Sequence, residues 1–450
     1  MSRTAADDVV LATCAAVLVP ISAKKIAAHE PLQFRRELTY RYNTARAHPS
    51  GMSPARARIP ELDGLRGLAI AAVMCFHSAL YFPIAGATRS LFLFGWSGVD
   101  LFFVISGFLI GGILVDQREA GNYFSAFYLR RFFRIVPVYF AVLAAYGFAW
   151  SMDGAIRPTL ARAVGSPMHW YTYLSITNNF QIAKQDSMGF FLPVSWSLAI
   201  EEQFYLTLPL LVWLVAPKHF PKVVGTLIVA VVLLRASSCW YEVVTQNQAY
   251  VLPWFRADAL LMGVGCALLV RNNRAVEWMR SHRALLLGAL GVFGLAVIVT
   301  GTHLPHWTAS PKSPLMTVGL TLVALMYAAL LLFSIVHPPA ALSRALSLRP
   351  LQWIGKVSYC VYLVHQVAFA AATVLILPSL EQWFPRGAPW ITLFAALAAI
   401  ILIAQISWVI LERRMIRVGH RFDFEPKPEM GQPALTLVPQ GATQLRAAEE

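Results

Sequence analysis

Between residues 66 and 411 the chain breaks into ten apolar runs, at about 66–83, 94–115, 132–150, 191–215, 222–241, 252–270, 284–301, 315–336, 356–377 and 389–411. Each is close to the ~20 residues that an α-helix needs to cross the hydrocarbon core of a bilayer. Such a chain has few options. It is expected to be an all-α, polytopic integral membrane bundle of about ten transmembrane helices. Composition agrees, because 57% of the 450 residues are hydrophobic and 13% are charged, against about 25% charged in ordinary soluble proteins.

The net charge of +14 would suit a nucleic-acid ligand if the basic residues formed one surface, and they do not. Arg56 and Arg58, then Arg118, Arg130 and Arg131, then Lys218 and Lys222, then Arg271, Arg274, Arg280 and Arg283 fall in alternate connections. Arg344, Arg349 and Lys356, and finally Arg413, Arg414 and Arg417, continue the alternation. Basic loops stay in the cytoplasm, so both termini are expected there and no nucleic-acid partner is expected. The five cysteines are scattered without a CxxC pair, and four of them lie in apolar runs, where a small buried hydrophobe is the expected role. Neither a disulfide framework nor a metal site is expected.

Three parts follow. Residues 1–57 read as an N-terminal cytoplasmic extension. Its apolar run 9–22 is too short to span and is preceded by Asp7 and Asp8, unlike a signal peptide. Met52 is an alternative start of translation. Residues 58–415 form the membrane domain. Residues 416–450 are rich in Pro, Gln and Ala and are expected to be a disordered cytoplasmic tail. The long external segment 151–190 could re-enter the membrane, form a lid, or be an ordinary structured loop.

Ionisable residues inside the runs carry the chemistry, since an ionisable group at mid-membrane is costly and needs a partner or a water-filled cavity. Arg66 lies at the inner end of the first run, and His77 lies near mid-depth, about 16 Å further along a helix at 1.5 Å per residue. Arg131 and Arg134, three apart and on one helix side, lie near the inner face. Glu201 and Glu202 enter the fourth run from outside, His365 is about nine residues into the ninth, and Asp258 lies within the sixth. Adjacent helical positions are about 100° apart, so only one of Glu201 and Glu202 is expected to face a shared cavity. Arginines at a helix end satisfy the positive-inside pattern without any ligand. Gathered as Arg66, Arg131 and Arg134, they also match phosphate oxygens well. Tyr205, Ser195, Ser197, Ser358 and Tyr362 can hydrogen-bond a ligand or simply pack helices. The glycines of GVDLFFVISGFLIGGIL are read as packing residues and Asp100 as a possible site residue.

The stretches ELDGLRGLAIAAVMCFHS, GVDLFFVISGFLI, FYLRRFFRIVP, SWSLAIEEQFYL and GKVSYCVYLVHQ resemble, in this order, the acyltransferase-3 family of integral membrane O-acyltransferases. The resemblance covers about residues 58–415. It implies a ten-span core, a cytoplasmic acyl-CoA donor (acetyl-CoA foremost), and functional roles for Arg66 with His77 and for Arg131 with Arg134. Members modify bacterial surface sugars and some small molecules, which implies a carbohydrate or other hydroxyl acceptor and a bacterial inner-membrane location. The N-terminal extension departs from the family pattern. The soluble esterase-like domain fused to some members does not follow the membrane domain, so a single-domain member is expected.

On this reading the donor's phosphates meet Arg66, Arg131 and Arg134, and His77 takes the acceptor hydroxyl's proton as general base. Glu201, Glu202 and His365 complete the catalytic set. A covalent acyl-histidine route is compatible with the same residues. The rival reading is a proton-coupled transporter of an organic anion, which mid-membrane His and Glu would also serve. It lacks the repeated halves many transporters show.

Overall fold

The computed structural model describes residues 59–151, 161, 165, 167–188, 191–299, 310–336 and 338–426. The expected extension and the last part of the expected tail lie outside the described residues. Within them the chain is helical, and ten long helices follow one another. They are α1 (Pro60–Tyr81), α2 (Gly98–Asp116), α3 (Tyr123–Ser151), α4 (Ser195–Leu214), α5 (Phe220–Trp240), α6 (Pro253–Arg271), α7 (Arg283–Val299), α8 (Leu320–Val336), α9 (Ser358–Leu375) and α10 (Ala388–Ser407).

These helices coincide with the ten apolar runs, and together they make a polytopic membrane bundle. By length and hydropathy alone, eight helical segments among the described residues could cross a membrane, or nine if the bent pair Asn273–Ser281 and α7 forms one span. The two parts of that pair meet at 81°. The shorter part begins where the Asn272 side chain accepts from the amides of Arg274 and Ala275, an N-cap that starts a new helix. The segment outside the count is α4, whose Glu201, Glu202 and Gln203 lower its hydropathy although it is 20 residues long.

Local sequence explains the element ends and breaks. Helix α1 starts with Pro60 in its first turn and has Glu61 and Asp63 beside its N-terminus, where a missing N–H costs nothing and negative charge is favoured. Pro209 inside α4 removes one backbone hydrogen bond, about two turns beyond the acidic pair. α10 runs into a π-helical turn, Trp408–Glu412.

The bundle is built around α2 and α6. They approach so closely that a Cβ on Gly107 would collide with the Leu260 carbonyl, and one on Gly263 with the Val104 carbonyl. Small residues at such a crossing are how membrane helices gain packing contacts. Ion pairs fasten the same two helices toward both ends, Asp100 to Arg256 at 2.9 Å and Asp116 to Arg271 through two bonds of 2.8 and 2.6 Å.

Residues 167–188 fold onto α4. The Asn178 amide donates to the Ser195 hydroxyl at 2.6 Å, and Asn179 exchanges two hydrogen bonds with Gln203, at 3.2 and 3.0 Å. Asn178 and Asn179 are fully buried. This part of the long segment is thus a structured cap tied by side chains to the helix that carries Glu201 and Glu202.

Candidate active site

One cavity collects most of the polar residues singled out in the sequence. Its walls include Arg66 from α1, Arg131 and Arg134 from α3, Glu201 from α4 and Ser358 from α9. It extends along α2 from Val99 to Ile110, with Arg66 of α1 and Ser358 at the start of α9 on its other sides. Three cations there would repel one another without anionic partners, and the structure supplies carboxylates. Glu201 lies in the field of Arg66 and Arg131 and is within hydrogen-bonding reach of the Ser106 and Tyr205 hydroxyls. Those two hydroxyls also bond each other. The Arg131 guanidinium rests over the Tyr205 ring at 5.5 Å, and Arg66 Nη2 donates to Ser358 Oγ at 3.4 Å. Among the described residues each arginine keeps donors for a ligand, since a guanidinium carries five N–H groups.

Glu202, about 100° further round the helix, is not among the residues lining this cavity, although its carboxylate acts on Arg131 from behind the wall. Its Oε1 is buried without a hydrogen-bond partner among the described residues. Tyr359 and Tyr362 both line the cavity. The Tyr362 hydroxyl is 2.6 Å from Ser197 Oγ and donates to the Val194 carbonyl at 3.0 Å. Its ring centroid lies 5.7 Å from that of His365, so Tyr362 joins the arginine cavity to the histidines.

The two histidines lie outside the walls of that cavity and meet each other. His77 Nδ1 and His365 Nε2 are 3.1 Å apart, with ring centroids at 4.7 Å. His365 is fully buried, and its Nδ1 faces the carbonyls of Tyr362 at 2.8 Å and Val361 at 3.1 Å. His77 is partly exposed, and its Nδ1 lies 3.0 Å from the Val73 carbonyl. Helices α1 and α9 run in the same direction, so Arg66 meets Ser358 at one level and His77 meets His365 deeper in the bundle.

Asp258 and Asp100 belong to a second, separate polar cluster. Asp258 pairs with Arg235 at 2.9 Å and accepts from Thr321 Oγ1 at 2.8 Å. Arg235 also donates to Thr321. The Arg256 guanidinium bonds Asp100 and lies over the Tyr250 ring at 4.9 Å. All four charged side chains are at most 2% exposed. The cluster ties α2, α5, α6 and α8 together and leaves no charge without an opposite neighbour, which is a structural arrangement.

Sequence reasoning missed two of its members as partners, Arg235 and Arg256, and it missed Glu412. Glu412 sits in the π-helical turn after α10, is buried, and accepts from Ser407 Oγ at 3.0 Å. It lies in the field of Arg134 and Arg66. The signal was an acid at the end of the last apolar run, ILERR. With arginines directly after it, that acid reads as the solvent-facing end of a helix.

A polytopic bundle enclosing an arginine-lined cavity, with paired histidines deeper in the same helices, defines the class. The chain belongs to the acyltransferase-3 family, whose acyltransferase domain matches residues 59–410. It is 31% identical over 378 residues to the peptidoglycan O-acetyltransferase OatA of Listeria monocytogenes, covering 81% of this chain and 57% of that protein. The putative peptidoglycan O-acetyltransferase YrhL of Bacillus subtilis is 28% identical, over 81% of this chain and 56% of its own. The O-acetyltransferase OatA of Staphylococcus aureus is 27% identical, over 84% and 61%. The chain therefore spans about three fifths of the length of these curated relatives. No solved structure matches it.

Proposed function

We propose that this protein moves an acyl group, most simply acetyl, from a cytoplasmic acyl-CoA to a carbohydrate hydroxyl at the outer side of a bacterial inner membrane. The observation that carries this reading is the convergence of Arg66, Arg131 and Arg134 from two helices on one cavity, with His77 deeper on the same helix as Arg66. Guanidinium groups suit phosphate oxygens in charge and geometry. The separation of about 16 Å along α1 suits a donor whose phosphates and reactive carbon sit at opposite ends of a long flexible arm.

The chemistry balances without a further reactant. The acceptor hydroxyl gives its proton to His77 Nε2 as its oxygen bonds the thioester carbon. The carbon–sulfur bond then breaks, and the departing sulfur takes the proton back from His77. Glu201, on the same cavity wall as Ser106 and Tyr205 and in the field of Arg66 and Arg131, holds the arginines in place for the donor. Names of the relatives support a peptidoglycan glycan as the acceptor to try first. Membership of an acyltransferase family supports group transfer over the transporter reading.

The test is label transfer from [acetyl-14C]acetyl-CoA to peptidoglycan glycan in membranes containing the protein. Labelled glycan that depends on His77 and Arg134 supports the proposal. Counterflow of an intact substrate across the membrane, with no glycan labelled, favours the transporter.

A further inference from the structure

The histidine pair fixes more than proximity. His365 Nδ1 faces two backbone carbonyls, at 2.8 and 3.1 Å. Carbonyl oxygens only accept, so this nitrogen must carry the proton. In a neutral ring that leaves His365 Nε2 as a bare acceptor, and it points at His77 Nδ1 from 3.1 Å. His77 Nδ1 also faces the Val73 carbonyl at 3.0 Å. Both of its neighbours are acceptors, so His77 Nδ1 must be the protonated nitrogen of that ring. The lone pair is then confined to His77 Nε2, which has no hydrogen-bond partner among the described residues and is not among their sealed polar atoms.

We infer that His365 is a positioning residue, which holds His77 in the Nδ1–H form and keeps Nε2 as the nitrogen that receives a proton. The inference rests on the reading of His77 as the base. It assigns His365 no contact with either substrate, in keeping with a side chain at 0% exposure. The Val73 carbonyl alone is a weaker hold, because in an α-helix it already accepts from the His77 amide four residues on. His365 supplies a second acceptor from another helix, and its own tautomer is set by backbone groups that do not titrate. When His77 takes up a proton, its Nδ1–H still has His365 Nε2 to donate to, so the charged ring is met by a preorganised acceptor.

The alternative is that His365 merely fills space between α1 and α9. The two roles separate in His365→Phe, which keeps a ring of similar size but accepts nothing, and in His365→Gln, whose amide oxygen can accept from His77. Protein carrying 15N-histidine, purified as the full chain in lipid nanodiscs, reports the tautomer of His77 directly, with His77→Ala identifying its signals. The expected wild-type result is a single Nδ1–H form. His365→Phe is expected to show both forms of His77, and His365→Gln to restore the single one.

Turnover with acetyl-CoA and soluble peptidoglycan fragments should follow the same order. kcat should fall on the order of 10- to 100-fold in His365→Phe, with the KM for acetyl-CoA within about twofold of wild type, and recover in His365→Gln. A wild-type His77 protonated on Nε2, or a His365→Phe protein whose His77 stays entirely Nδ1–H, would overturn the inference. The base reading fails separately, through full transfer by His77→Ala.

Discussion

His77 on α1 and His365 on α9 meet at 3.1 Å, nitrogen to nitrogen, at a level deeper than the contact between Arg66 and Ser358 on the same two helices. The two helices therefore carry a basic contact at one level and an imidazole contact at another. This ladder is the frame for the expectations below.

Removing one cavity arginine should weaken donor binding more than it slows the chemical step. A hydrogen bond to a charged group contributes about 1.5–3 kcal/mol, so Arg134→Ala should raise the KM for acetyl-CoA roughly 10- to 100-fold. Arg131→Lys should recover only part of the loss in the corresponding Arg131→Ala variant, since lysine lacks the planar fork and sits less well on the Tyr205 ring. Initial-rate kinetics at varied acetyl-CoA decide this. An unchanged KM in Arg134→Ala would place the donor elsewhere.

The two adjacent glutamates should behave differently. Glu201 lines the cavity, whereas Glu202 lies outside its lining with an Oε1 that is buried and has no hydrogen-bond partner among the described residues. Glu201→Gln should lower transfer at least tenfold more than Glu202→Gln at equal protein level. Equal losses would count against the assignment of Glu201 to the cavity.

Arg235 and Asp258 should matter for folding and not for chemistry. Breaking a buried ion pair by removing one partner costs about 3–5 kcal/mol, whereas replacing both with apolar residues of similar volume is often tolerated. Asp258→Ala should therefore lose most of its folded protein in a detergent thermal-stability assay. The double variant Arg235→Met, Asp258→Leu should recover a good part of it. A stable Asp258→Ala protein with no activity would instead move this cluster into the functional machinery.

Gly107 and Gly263 should resist any added side chain. Each would drive a Cβ into the backbone carbonyl of the facing helix, and overpacking of a well-packed contact costs about 1–3 kcal/mol. Gly107→Ala should lower the melting temperature of the purified protein, while the same change at Gly291, where a Cβ meets open space, should not.

The ten helices were legible because bilayer thickness sets a length that apolar runs either reach or do not. The chain's polar residues were legible one at a time, since an ionisable side chain within such a run stands out. Their partners were not. Asp258 stood out as an ionisable residue within the sixth run because position along a helix can be counted, while the direction in which a side chain points around the bundle cannot. The structure turns it toward Arg235, in a cluster of its own. Glu412 escaped for a related reason: the π-helical turn that carries it changes the helix's phase, and its sequence neighbours are arginines. The pairing of His365 with His77 depends on α1 and α9 lying side by side in the same direction, which no periodicity in either segment encodes.

The measurement that tests the central claim most directly compares acetyl transfer by wild-type and His77→Ala protein. Membranes with equal amounts of each are given [acetyl-14C]acetyl-CoA, and label is counted in isolated peptidoglycan glycan. Wild-type membranes should label the glycan, and His77→Ala should lose at least 100-fold of that activity, the size of a general-base contribution, while still folding. Transfer by His77→Ala at the wild-type rate would contradict the account.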